Sequence, residues 1–205
     1  MSVETETSEE LKSARRKRLA DLLLAVIGAP IALPICAFAA LAVRLETPGS
    51  PVFAQQRVGK SQEPITVYKL RTMHRDTGDL PSHTVAASNI TKVGSLLRTT
   101  KVDELPQLWN VLKGEMSFVG PRPCLPSQTE LIAERESRGI FQLVPGITGP
   151  SQLAGIDMST PVVLADSDAT YRDQRSLSFD IRCIVMTALG RGSGDAAGKL
   201  QAEAH

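Results

Sequence analysis

From Leu22 to Val43 the chain carries no charged residue, and Lys12, Arg15, Arg16, Lys17 and Arg18 stand just before this apolar run. As a helix, such a run would cover roughly 33 Å, about the thickness of a bilayer's hydrocarbon core. The basic flank predicts a cytoplasmic N-terminus. Ala29, Pro30 and Pro34 lie in mid-run. Each proline removes an intrahelical hydrogen bond and crowds the preceding turn, so the segment should kink or break near its centre. Three outcomes stay open on this pattern alone: a cleaved signal peptide, a tilted spanning helix, or a hairpin returning to the side it entered. The run exceeds the roughly 7–15 residues of a signal core. Ala37-Phe38-Ala39 and Ala40-Leu41-Ala42 nevertheless offer small-x-small cleavage patterns.

Chemistry concentrates at Asp103 and Glu104. After them Leu105, Leu108, Trp109 and Leu112 fall at i, i+3, i+4 and i+7, which predicts a helix with one buried stripe. Pro106 is tolerated because first-turn amides have no intrahelical partner. Asp103 is thus placed at or beside the N-cap, and Gly114 at the far end. Helix N-termini attract phosphate, and a carboxylate pair can supply both a nucleophile and a metal ligand. The stretch reads as phosphoryl-group chemistry, with simple capping as the plain alternative for Asp103. A rigid Gly120-Pro121-Arg122-Pro123 turn follows, suited to presenting a planar guanidinium at a fixed angle.

At 205 residues, one domain with a real core is expected. A net charge of +1 gives no sign of nucleic-acid binding. Cys36, Cys124 and Cys183 form no Cys-x-x-Cys pair, and His74, His83 and His205 show no ligand spacing, so neither a zinc site nor a disulfide framework is implied. Residues 51–59 and 64–71 read as two strands joined by a polar turn. In the second, Ile65, Val67 and Lys69 share one face and Thr66, Tyr68 and Leu70 the other. Residues 75–92 read as a surface loop or lid. Ser127 is expected to cap a polar helix through Arg138, and another helix starts near Thr160-Pro161. A last helix carries Leu177, Ile181, Ile184, Val185 and Ala188 on one face; residues alone favour packing of that face in the core. Composition makes residues 1–14 and 190–205 disordered tails.

Taken together, these residues resemble the bacterial sugar transferase family, the small monotopic phosphoglycosyl transferases that prime glycan assembly on a polyprenol phosphate. The resemblance runs from about Lys17 to Gly190. It rests on the proline-broken apolar segment, Pro51-Val-Phe-Ala-Gln-Gln-Arg-Val-Gly59, Tyr68-Lys-Leu-Arg-Thr-Met73, Arg98 followed by Asp103-Glu-Leu-Pro-Gln-Leu-Trp-Asn-Val-Leu112, Gly120-Pro-Arg-Pro123 and Pro145-Gly-Ile-Thr-Gly149. The chain departs from the family at Ala29, where a serine usually precedes the hairpin proline, and at Pro150, where many relatives carry tryptophan.

The resemblance implies a mixed α/β (α+β) fold. Residues 15–45 would be a re-entrant membrane anchor broken at Ala29, Pro30 and Pro34, and residues 46–189 a catalytic domain on the cytoplasmic face of the bacterial inner membrane. It also moves the last helix towards the membrane surface. The implied donor is a UDP-sugar and the acceptor undecaprenyl phosphate, with no nucleic acid involved and homodimerisation open. Asp103 would be the nucleophile and Glu104 a Mg²⁺ ligand. Lys69, Arg98 and Arg122 would contact phosphate or steady the acid pair, with Arg71, Gln107 and Pro121 as second-tier candidates. A non-catalytic, membrane-anchored scaffold of a glycan pathway is the alternative from another class.

Overall fold

α1 (Ser2–Glu46) runs as one helix through both prolines. The computed structural model describes residues 2–74, 77 and 87–192. The expected interruption at Ala29, Pro30 and Pro34 is therefore not a helix end. Pro30 deprives only the Val26 carbonyl of its donor and Pro34 only that of Pro30, so both gaps fall on one stripe and the other rows of hydrogen bonds carry the helix past them. The first fourteen residues, expected as a tail, continue the same helix from Ser2 onward, since extending an existing helix is far easier than nucleating one. Most of the expected C-terminal tail, residues 193–205, lies outside the described residues.

One stripe of α1 is buried: Asp21, Ala25, Ala32, Ala39 and Val43. The opposite side is open, with Ile27 70% and Phe38 75% exposed alongside Leu23, Ile31 and Leu41. A soluble core helix would not leave so much apolar surface in water. Small alanines let the helix approach closely. Ala25 packs with Ile65, Val67, Val111 and Met116, while Ala39 and Val43 pack with Leu70 and Leu97.

β1 (Val52–Val58) and β2 (Pro64–Leu70) form an antiparallel pair in register from Val52 opposite Leu70 to Val58 opposite Pro64. Both strands and their polar turn agree with the sequence expectation. Face alternation along β2 holds for Ile65 and Val67 but fails at its end. There Leu70 is buried against Ala39 and Val43 of α1, while Lys69 stays half-buried and reaches Glu104. The outer edge of β2 is closed by a fully buried side chain: Asn110 Nδ2 donates to the Thr66 carbonyl at 2.6 Å, and its Oδ1 accepts from Tyr68 N at 3.3 Å. A sheet edge without such a partner would leave backbone groups unpaired.

Within the expected 75–92 loop, the described part carries a 3₁₀ turn (Ala87–Asn89) and a bridge between Met73 and Ile90. α2 (Lys92–Thr100) follows, capped by Thr91, whose hydroxyl accepts from Gly94 N at 2.9 Å. Next comes a 3₁₀ turn over Val102–Gln107 and then α3 (Leu108–Lys113). This corrects the single helix expected from Asp103 to Gly114. The tighter 3₁₀ turn, at three residues per turn, shifts the helical phase. Consequently Trp109 is 57% exposed, while Gln107, Asn110 and Val111 are buried.

β3 (Ser117–Val119) pairs in parallel with β4 (Gly146–Thr148), Ser117 opposite Gly146 and Val119 opposite Thr148. Between them lies α4 (Thr129–Ser137), whose N-cap is Gln128 and not the expected Ser127; Gln128 Oε1 accepts from Leu125 N at 2.8 Å. After α5 (Pro150–Leu153) come α6 (Pro161–Gln174) and α7 (Leu177–Ala188). The face of α7 expected in the core is split. Asp180 and Cys183 are buried and Ile184 packs with Val119, Leu143 and Tyr171, whereas Leu177, Ile181, Val185 and Leu189 form an open apolar stripe at four-residue spacing.

The Gly-Pro-Arg-Pro and Pro-Gly-Ile-Thr-Gly segments cross at Gly120 and Gly146. A Cβ on Gly146 would sit 2.1 Å from Gly120 N, which no backbone can accommodate in place. Gly146→Ala should therefore force the segments apart and destabilise the protein by about 1–3 kcal/mol or more. A thermal melt within a degree of the parent would contradict this crossing.

Candidate active site

Asp103 and Glu104 stand on the 3₁₀ turn, preceded by Lys101 in the left-handed conformation at φ 57°. That reversal ends α2 and redirects the chain, so the acid pair faces β2 instead of continuing along the α2 axis. Asp103 is therefore not an N-cap. It lies in the turn itself and is 5% exposed. Glu104 is held between two cations from different elements: Lys69 Nζ of β2 lies 2.9 Å from Oε1, and Arg122 Nη1 lies 3.3 Å from the same oxygen. All three side chains are largely shielded, so these contacts are stronger than surface pairs of equal length. The structure thus brings Lys69 and Arg122 together on Glu104, with Asp103 its neighbour in the chain.

Arg98 of α2 donates from Nε to Thr72 Oγ1 at 2.8 Å, while its buried Nη1 has no hydrogen-bond partner among the described residues. Gln107, on the acid pair's own turn, is 3% exposed and its Nε2 likewise has none among them. Buried donors left unpaired are costly, and phosphate oxygens would satisfy both. Arg71 also has a buried Nε with no partner among the described residues, but the rest of its guanidinium is committed elsewhere. Its guanidinium donates to the Thr47 carbonyl at 2.9 Å, to Thr47 Oγ1 at 2.7 Å and to the Pro48 carbonyl at 3.0 Å. It ties the end of β2 to the end of α1 and does not join the Glu104 clasp.

Two small clefts flank the Glu104 clasp, and Asp103 lines neither. One is lined by Phe53, Gln55, Arg57, Lys69, Gln107 and Arg122. The other is lined by Lys101, Glu104, Thr148, Gln152 and Thr187. Burial pushes the Lys101 ammonium below its ordinary range; the nearby Glu104 carboxylate pulls it back up, and Arg122 adds to the lowering. A larger hollow of about 420 Å³, between the first turns of α1 and the start of α7, includes neither Asp103 nor Glu104.

The donor set suits a hard, oxygen-preferring cation bound without a protein cage. Among the described residues no group of three or more His, Cys, Asp or Glu side chains is placed to hold an ion. Two adjacent carboxylates match Mg²⁺, which commonly binds through one or two carboxylates and completes its shell with substrate phosphate and water. Such an ion would arrive with a phosphorylated substrate and not reside in a protein cage.

Sequence reasoning passed over several groups that shape this site. Arg57 is buried with Gln55 on β1, and Arg135 and Asp168 are buried on α4 and α6. Arg57 lay inside a quoted motif, but as one cation in a strand nothing marked it as buried. α2 itself was missed, although Thr91 followed by Val93, Leu96 and Leu97 is a readable cap and stripe.

Glu104 clasped by a lysine and an arginine, in a protein with a long helix whose apolar face is open, suits phosphate groups handled at a membrane. The profile of the bacterial sugar transferase family matches residues 12–191, and the chain belongs to that family. It is 36% identical to the UDP-glucose:undecaprenyl-phosphate glucose-1-phosphate transferase of Caulobacter vibrioides, over 84% of this chain and 68% of that protein. It is also 36% identical to the exopolysaccharide production protein PSS of Rhizobium leguminosarum, over 87% of this chain and 97% of that one. A third relative, the UDP-glucose:undecaprenyl-phosphate glucose-1-phosphate transferase of Escherichia coli, is 36% identical over 83% of this chain but only 39% of its own length.

Two arginines expected to act alike should separate on mutation. Arg71→Ala should lower stability by about 1–3 kcal/mol, from its lost bonds to Thr47 and Pro48, with the donor KM of the folded enzyme unchanged. Arg122→Ala should impair donor use while melting close to the parent. Steady-state kinetics and melts of both variants check this; a raised donor KM in Arg71→Ala would return it to the substrate site.

Proposed function

We propose that the protein transfers a sugar 1-phosphate from a UDP-sugar to undecaprenyl phosphate, releasing UMP, as an initiating step of bacterial glycan assembly. The observation that carries this reading is Glu104 clasped between Lys69 and Arg122 next to a shielded Asp103. Membership of the family and the relatives' names supply the substrate class.

In the first displacement an Asp103 carboxylate oxygen attacks the sugar-bearing phosphorus. The bond from that phosphorus to the bridging oxygen breaks, and UMP leaves with the electron pair. In the second, a phosphate oxygen of undecaprenyl phosphate attacks the same phosphorus and displaces the Asp103 carboxylate. The acyl phosphate formed in between is reactive enough to be a competent intermediate. Lys69, Arg122 and the unpaired donors of Arg98 and Gln107 bind phosphate oxygens and offset charge as it builds on them. Glu104, besides fixing Lys69 and Arg122, would hold Mg²⁺ with Asp103 close by. When bound, that ion neutralises diphosphate charge.

The anchor is read as monotopic, held in one leaflet on the cytoplasmic side without the helix end expected of a hairpin. Both flanks of the apolar run of α1 touch the same body: before it Arg18 donates to the Val111 and Leu112 carbonyls, and after it Glu46 accepts from Val93 N at 3.1 Å. A straight crossing would carry one end to the opposite side of the bilayer. Removal of α1 as a signal peptide would strip Ala25 and Val43 from the core. The open stripe of α7 supports a second contact with the interface.

Asp103→Asn should abolish both turnover and the phosphosugar adduct seen by mass spectrometry when donor is supplied without acceptor. Glu104→Gln should cut UMP release by about 100-fold or more and flatten its Mg²⁺ dependence. Normal turnover in Asp103→Asn would remove the nucleophile assignment. Topology needs an introduced label, because Cys124 is fully buried and burial raises its thiol pKa. A membrane-impermeant maleimide should modify the exposed Ser127→Cys position in inverted vesicles but not in intact cells; the reverse pattern would refute the cytoplasmic placement.

A further inference from the structure

Four consecutive carbonyls of the arginine turn each accept a hydrogen bond from a different group. Pro121 O takes Gly146 N at 2.9 Å, Arg122 O takes Arg135 Nη1 at 2.8 Å, Pro123 O takes Arg57 Nη1 at 3.1 Å, and Cys124 O takes Val58 N at 2.9 Å. Two of these donors belong to buried guanidiniums. Arg135 is 2% exposed and pairs with the equally buried Asp168, whose Oδ2 accepts from Nε at 3.0 Å and Nη2 at 2.7 Å. Ser151 donates to the other Asp168 oxygen at 3.0 Å. Arg57, in turn, is oriented by Gln55 Oε1, which accepts from its Nε at 2.8 Å.

A buried ion pair of this kind adds little to stability that well-packed apolar side chains could not supply. What an apolar pair could not do is donate to the Arg122 carbonyl. We propose that Arg135, held by Asp168, is a positioning residue: through the Arg122 carbonyl it fixes where the Arg122 guanidinium meets Glu104 and the substrate phosphate. Asp168, on α6, is thereby coupled to the acid pair without touching it. A chain of contacts runs from Ser151 and Asp168 through Arg135 and the Arg122 backbone to Glu104.

The inference rests on the phosphate-binding role of Arg122 in the proposed transfer, and its test keeps the two apart. Arg135→Met combined with Asp168→Leu replaces the ion pair with apolar volume, and Asp168→Asn serves as a second variant should the double substitution fold poorly. Each is made in the parent and in an Arg122→Ala background. Two readouts are taken: UMP release from UDP-glucose with undecaprenyl phosphate, and calorimetric binding of inorganic pyrophosphate. In the parent background UMP release should fall by about 100-fold in kcat, as expected when a reacting group is misplaced from a distance. Pyrophosphate should bind about tenfold more weakly, while melts stay near the parent's. In the Arg122→Ala background the same substitutions should change either readout by less than about twofold, because the group they position is gone. Equal losses in both backgrounds, no loss in the parent, or no pyrophosphate binding by the parent would each overturn the inference. If the parent released no UMP from any UDP-sugar while the pyrophosphate cycle behaved as described, the transferase reading would fail and the positioning role would stand.

Discussion

The fold depends on how an almost wholly apolar helix is made to dock in one orientation. Hydrophobic burial is non-directional, and α1 carries apolar residues around most of its circumference. Polar contacts just ahead of its apolar run break that degeneracy. Asp21 Oδ1 accepts from Ser117 Oγ and Phe118 N, both at 3.1 Å, which fixes the helix against β3. Arg18 caps the C-terminal carbonyls of α3, a favourable place for a cation. Lys17 reaches Asp180 of α7, whose other oxygen accepts from Tyr171 Oη at 2.8 Å. With those groups set, only the alanine stripe can face β2, and the branched side chains are left pointing outward.

The same logic explains why the site can assemble from distant parts of the chain. Lys69 ends a strand, Asp103 and Glu104 sit on a turn that leaves α2 through a left-handed residue, and Arg122 lies beyond β3. The glycine crossing lets the Arg122 turn lie against β4, and Asn110 staples the helix following the acid pair onto the edge of β2. Each charged group is thus borne on short, well-anchored backbone. That suits electrostatic catalysis, where the gain comes from dipoles and charges that need not reorganise during reaction.

Much of this was legible in the residues, and the parts that were not share a cause. Strong local patterns, such as the two strands, the Thr160-Pro161 helix start and the long apolar run as such, read correctly because local chemistry decides them, whereas the break expected at its prolines did not. The acid pair with Lys69 and Arg122 emerged from motif order. Failures arose where one turn of backbone sets a phase: the 3₁₀ geometry after Lys101 turned Trp109 outward and Asn110 inward, opposite to a continuous 3.6-residue count. Arg71, expected at phosphate, instead holds the Thr47 and Pro48 carbonyls, and Arg135, for which the residues carried no expectation, holds that of Arg122, for a related reason. Spacing cannot tell a cation that meets substrate from one that braces a carbonyl, since that depends on which loop arrives beside it.

The two-ended attachment of α1 has a consequence for the lipid substrate. If the anchor lies in one leaflet, the globular part cannot swing about a single tether, and the acid pair keeps a constant depth relative to the headgroups. An acceptor diffusing laterally in the bilayer then meets the enzyme in two dimensions, its phosphate already at the level of the attack. The soluble nucleotide donor alone must be captured from the third.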